Sequence, residues 1–273
     1  MGTYRWVTYT AALAAFSGVV AASQAAAQDR QDQRWREQCE DGSWSRPHFC
    51  DVRVQHLPRT DALTVDGEEN GSVEIRGSAG NDIVVHTLVQ AQAASADAAR
   101  DLASQVQIVT TGGSLRADGP PSAHRHSWTV SYRIEVPSRM NLTLSAENGP
   151  VSVADVSGRL DIRAHNGPVD LERVGGDVHA RAENGPLDVT LAGARWDGKG
   201  LDAETQNGPV DLQLPAKYAA HLETGTINGP VDIDFPLTMQ GHIDLRRIEQ
   251  DVGGGGPPVR VVTTNGPVHV RTE

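Results

Sequence analysis

Apolar residues from Leu63 to Val270 recur with a period of two, in runs too short for helices. Leu63 and Val65, Val73 and Ile75, and Ile83 and Val85 alternate with polar neighbours, which is the pattern of half-buried strands. Trp128, Val130, Tyr132, Ile134 and Val136 extend it up to Pro137, where the strand must stop. Gly67, Asn70-Gly71 and Gly80-Asn81 separate these runs with residues that tolerate positive φ. One stretch breaks the period. Ala91 to Ala103 lacks Gly and Pro and sets Ala94, Ala98, Leu102 and Val106 at helical spacing. This predicts one short helix near residues 91–104, suited to covering an exposed strand end.

From Met140 the alternation becomes a repeat. Asn-Gly-Pro followed by Val or Leu occurs at Asn148, Asn166, Asn184, Asn207, Asn228 and Asn265, at intervals of 18, 18, 23, 21 and 37 residues. Each period holds a short strand, a glycine turn, a longer strand and the corner, as one coil of a solenoid does. The last interval reads as two periods with one degenerate copy. Six intervals at about 4.8 Å then give a stack roughly 29 Å long. The fold predicted is an all-β, single-domain β-solenoid, a parallel β-helix expected to be right-handed.

The corner residues have structural reasons to recur. Gly permits the sharp turn, Pro fixes φ at the next strand, and the Asn amide can bond the same amide one coil away. Asn148, Asn166, Asn184, Asn207, Asn228 and Asn265 are therefore expected to form a corner ladder. Asp170, Asp188, Asp211 and Asp232 follow the corners on the solvent side. They read as a solubilising stripe, with weak calcium binding by carboxylates on adjacent coils as the alternative. Around Trp196 the spacing gains five residues. That predicts a side loop in which Trp196 either clamps the loop to the core or presents an aromatic to a partner.

The first 27 residues read as a signal peptide. Arg5 precedes a small-residue apolar run, and Ala25-Ala26-Ala27 offers a cleavage site. Export to the periplasm or beyond follows, with no membrane anchor expected. Without Arg5 the chain has 35 acidic residues against 23 Lys and Arg, which argues against nucleic acid as a partner. Residues 28–57 are polar and without period, and read as a linker. Cys39 and Cys50, the two cysteines, are expected to close a disulfide there. Residues 58–273 form the repeat domain.

No catalytic or phosphate-binding motif is present, and no cofactor or metal is called for. His124 and His126 lack partners at zinc spacing. Three segments carry a resemblance: Val130-Ser-Tyr-Arg-Ile134-Glu-Val-Pro137, Leu142-Thr-Leu-Ser-Ala-Glu-Asn148-Gly149 and Trp196-Asp-Gly-Lys-Gly200-Leu201. They resemble the DUF4097 family, described as adhesin candidates with a β-helix-like repeat. The resemblance spans roughly residues 58 to 273. It implies a β-solenoid and carries over no catalytic residue. The function expected is that of a non-enzymatic exported envelope protein, offering an adhesin-like surface to a polysaccharide or an envelope protein. The competing classes are a structural or stress-related envelope scaffold and a calcium-dependent polysaccharide-cleaving enzyme.

Overall fold

The computed structural model describes residues 28–123, 125–234 and 246–272. The proposed signal peptide and His124 lie outside the described residues.

Two ten-stranded sheets face one another across a single apolar core. The central coils alternate between them. Short strands β9 (Val151–Ala154), β11 (Val169–Glu172), β13 (Leu187–Thr190) and β15 (Val210–Leu214) stack parallel in one sheet. Long strands β8 (Asn141–Ala146), β10 (Ser157–Asn166), β12 (Gly175–Asn184) and β14 (Gly198–Asn207) stack parallel in the other. Inward positions such as Leu160, Ile162, Val169 and Leu171 are fully buried. Their neighbours Asp161, Arg163 and Asp170 face outward, because strand side chains alternate.

The chain does not stack in sequence order at its C-terminal end. β16 (Ala220–Asn228) and β17 (Val231–Ile233) form the outermost coil, yet neither pairs with β14 or β15. The last coil, β19 (Pro258–Asn265) and β20 (Val268–Thr272), lies between, pairing with β14 and β16 on one sheet and with β15 and β17 on the other. The 37-residue interval therefore contains no degenerate coil among the described residues. It contains β18 (Arg247–Val252), antiparallel to β16. The six corners occupy six adjacent layers, so the stack from first to last Asn is five steps, about 24 Å, rather than 29 Å.

His221 and Asp251 fasten β18 to β16 at 2.8 Å. The hydrogen bond to Asp251, with Glu249 adding charge, raises the His221 pKa above 6.5. A raised histidine contributes stability that is fully present below its unfolded pKa and fades as pH rises through its folded one. Amide exchange of β18, compared at pH 5.5 and 8.5 after correction for intrinsic rates, should therefore show less protection at the higher pH. The effect should be small, because the pair is exposed.

The opposite end is built differently. β1 (His48–Leu57), β4 (Ile83–Gln92) and β7 (Ser127–Pro137) join antiparallel, and β7 continues into the parallel stack through β3 (Val73–Ser78). On the other sheet β2 (Ala62–Asp66) pairs with β8 and with β6 (Ser114–Asp118), which pairs antiparallel with β5 (Gln107–Thr111). A helix, Ala96–Gln105, covers the gap and buries Ala99, Leu102 and Ala103. The Ser95 hydroxyl accepts from the Ala98 N–H, and Arg53 donates to the carbonyls of Ala103 and Val106. Both helix ends are thus satisfied. The helix starts five residues later than its composition predicts. Ile83–Gln92 is held between β1 and β7, and sheet pairing there outweighs alanine's helical propensity.

Residues 28–57 are not a linker. Residues 28–40 form a first helix, α1, and the Ala96–Gln105 helix is α2. Gln, Arg and Glu are good helix formers, but α1 buries little beyond Trp35 and Cys39, so no amphipathic stripe announced it. The Cys39–Cys50 disulfide ties α1 to β1. Asp32 meets His86 at 2.9 Å, and the Arg133 guanidinium lies 4.1 Å over the Trp35 ring.

Candidate functional site on the long-strand face

The corner ladder runs unbroken through all six layers. Asn148 donates to the Glu69 carbonyl, and then Asn166 to Asn148, Asn184 to Asn166, Asn207 to Asn184, Asn265 to Asn207 and Asn228 to Asn265, at 2.6 to 3.0 Å. The amides spend themselves on one another, which assigns them to holding register. Asn184→Ala removes two of these bonds and should cost about 1–2 kcal/mol, measured by urea unfolding.

Trp196 is not available to a partner. It is 3% exposed, packs in the core, and donates its Nε1–H to the Gly176 carbonyl at 3.0 Å. Four of the five extra residues lie in the loop between Thr190 and Gly198, as predicted, the fifth makes a bulge at Gly198-Lys199-Gly200 against Gly176-Asp177, and Lys199 Nζ reaches Asp177 at 3.0 Å.

The aspartate stripe is interrupted. Asp170, Asp188 and Asp211 are in register, but His269 separates Asp211 from Asp232, since β20 is inserted there. Arg271 also binds Asp211 at 2.8 Å. Burial, then the charges of Asp211 and Asp170, hold the Asp188 carboxyl above its usual range. Among the described residues no three His, Cys, Asp or Glu converge as metal ligands.

The long-strand sheet offers a different surface. Its outward residues form two rows across the coils. One runs Asp161, His179, Asp202, Arg260, Glu223, Glu249, and the next Arg163, Arg181, Glu204, Val262, Gly225, Arg247. Opposite charges on adjacent strands pair favourably. Arg260 is the hub. Its Nη1 donates to Asp202 at 2.5 Å and to Glu204 at 3.1 Å, and its Nε lies 3.7 Å from Glu223. Burial alone would lower its pKa, but these carboxylates outweigh that and raise it. Arg181 reaches Glu204 at 3.0 Å and Arg247 reaches Glu223 at 3.1 Å.

Above this network runs a groove of about 1270 Å³, crossing the sheet from Asp66 and Glu147 past Arg163 and Arg181 to Arg260 and Arg247. Its lining has no Phe, Tyr or Trp among the described residues, and Ile227, 64% exposed, stands at one end. Ion pairing fixes its planar, polar side chains, which leaves guanidinium and carboxylate edges for a ligand. The sequence placed these residues on a solvent face. It did not reveal their juxtaposition, because Arg260 reaches Asp202 and Glu223 only through the out-of-order insertion of β19.

With two facing sheets of stacked, mainly parallel strands and a polar groove along one of them, the molecule is a repeat protein with an extended surface. The chain belongs to the Toastrack DUF4097 family, whose model matches residues 52–271. Among solved structures it is similar to a candidate cell adhesion protein from Clostridium sporogenes, at 10% identity and TM-score 0.47, over 82% of this chain and 100% of that one. It is also similar to a candidate adhesin from Bacteroides fragilis, at 9% identity and TM-score 0.33, over 82% and 97%. A candidate lipid-binding protein from Parabacteroides distasonis matches at 10% identity and TM-score 0.32, over 81% and 96%. No curated protein matches the chain. The family match begins within β1 and leaves out α1, and no helix among the described residues is long and apolar enough to cross a membrane.

Proposed function

We propose that this is a non-enzymatic exported envelope protein that binds an extended partner along its long-strand face. The groove carries this reading: it crosses the coils of a stiff stack, and its floor is a preorganised network of hydrogen-bonding groups. Preorganisation lowers the cost of binding a long, flexible chain. The disulfide supports export, since such bonds persist in oxidising compartments.

The test is capture from a detergent-solubilised envelope fraction by residues 28–273 on a resin. Gln206→Trp adds bulk to the groove without changing its charge, and Thr190→Trp does the same on the short-strand face. A polymer or protein retained by the unaltered chain and by T190W, and lost with Q206W, supports the reading. Equal retention by both variants, or no retention by the unaltered chain, overturns it.

A further inference from the structure

Asn-Gly is the pair whose side-chain amide is most open to attack by the following backbone nitrogen, because glycine has no Cβ to stand in the way. The chain holds seven such pairs, at Asn70 and at the six corners. Stacking restrains all but one. Asn166, Asn184, Asn207 and Asn265 each donate to one neighbouring corner amide and accept from another. Asn184, Asn207 and Asn265 are also paired with strands on both sides. The glycine N–H of one layer donates to the Asn carbonyl of the next: Gly185 to Asn207, Gly208 to Asn265 and Gly266 to Asn228, at 3.0 to 3.1 Å. At the other end Asn148 is held between Glu69 and Asn166, and Gly149 is buried. Gly71 is buried too, and its N–H donates to the Gly67 carbonyl at 3.0 Å.

Asn228 lies in the outermost layer, where each restraint fails. It pairs with Asn265 alone, since β18 reaches only as far as Gly225. Its Nδ2 donates to Asn265 at 2.8 Å, but its Oδ1 accepts from nothing among the described residues. The Gly229 N–H has no acceptor among them either, and Gly229 is the one corner glycine that is exposed. We propose that Asn228-Gly229 is a deamidation site, a covalent modification that loosens the outer coil. The Gly229 nitrogen gives up its proton and bonds to Asn228 Cγ. The Cγ–Nδ2 bond breaks, and Nδ2 leaves with that proton as ammonia. Water then opens the cyclic imide at either carbonyl, giving aspartate or isoaspartate. Both products lack the Nδ2–H that binds Asn265 and set a carboxylate against the Asn265 Oδ1, acceptor facing acceptor. β16 and β17 thereby lose their ladder bond, and the Ile227 end of the groove gains a negative charge.

Peptide mass spectrometry of residues 28–273, held folded in mildly alkaline buffer, tests this. The mass gain of acid over amide should accumulate at Asn228 roughly tenfold faster or more than at Asn166, Asn184, Asn207 or Asn265, since hydrogen bonds that ring closure must break add to its barrier. In urea, where the stack is lost, the corner sites should converge on one rate. Asn228→Asp reproduces the aspartate product. Amide exchange in that variant should quicken in β16 and β17 while β10 and β12 stay as protected as before. A folded chain in which Asn228 converts no faster than the inner corners overturns the proposal, as does N228D with β16 and β17 unchanged. An advantage of Asn228 that persists in urea would place its cause in the neighbouring residues and not in the stack, and overturns it too.

Discussion

Replacing Gly185 with alanine should be among the most damaging single changes in this chain, costing roughly 4 kcal/mol or more. The corner glycines stack directly on one another. A Cβ at Gly185 would stand 2.1 Å from the Gly167 carbonyl oxygen, and one at Gly208 would stand 2.0 Å from that of Gly185. Both obstacles are backbone, fixed by strand pairing above and below, so no side chain can swing aside. The stack must open locally, losing ladder bonds and core packing together. In a domain of this size the loss corresponds to about 8–16 °C in Tm. Gly193→Ala is the control. Gly193 has positive φ, at 78°, and nothing lies within 4 Å of its added methyl. Its cost is conformational strain alone, on the order of 1 kcal/mol. Thermal unfolding of the two variants should separate them clearly, and similar values would show that the coils are not held as tightly as the stacking implies.

Truncation after Gly256 should have the second large effect, and an unusual one. In a solenoid stacked in sequence order, removing the last coil frays one end. Here β19 and β20 are interior layers, so their loss takes away the partners of β14, β15, β16 and β17 at once. Val259, Val261, Val268 and Val270 are each fully buried. Burying such side chains contributes about 1.5–3 kcal/mol each, which exceeds the stability margin of many domains. Hydrogen exchange should show protection lost through β14 and β16, not only at the new terminus. Retained protection in β16 with β14 unchanged would mean that β16 can dock directly on β14, making the inserted coil dispensable.

The repeat could be read from the sequence because each corner needs particular residues: Gly185 and its equivalents for close approach, Asn184 and its equivalents for the ladder. Trp196 was recognisable as an interruption, with a clamp and an exposed aromatic both open, since the partner that decides it, the Gly176 carbonyl, lies a full coil away. Asp232 looked like the next member of a stripe, whereas His269 occupies that layer. The same out-of-order coil hid the groove, because no sequence spacing places Arg260 between Asp202 and Glu223. α1 was hidden for the opposite reason: a helix fastened by a disulfide, a side-chain hydrogen bond and one tryptophan needs no apolar stripe.

Hydroxyl-radical footprinting of residues 28–273, with and without the solubilised envelope fraction, tests the central claim most directly. Binding along the long-strand face should shield Glu147, Arg163, Arg181 and Arg260 and leave Asp170, Asp188 and Arg271 as reactive as before. Shielding confined to the short-strand face, or no change on either face, would contradict it.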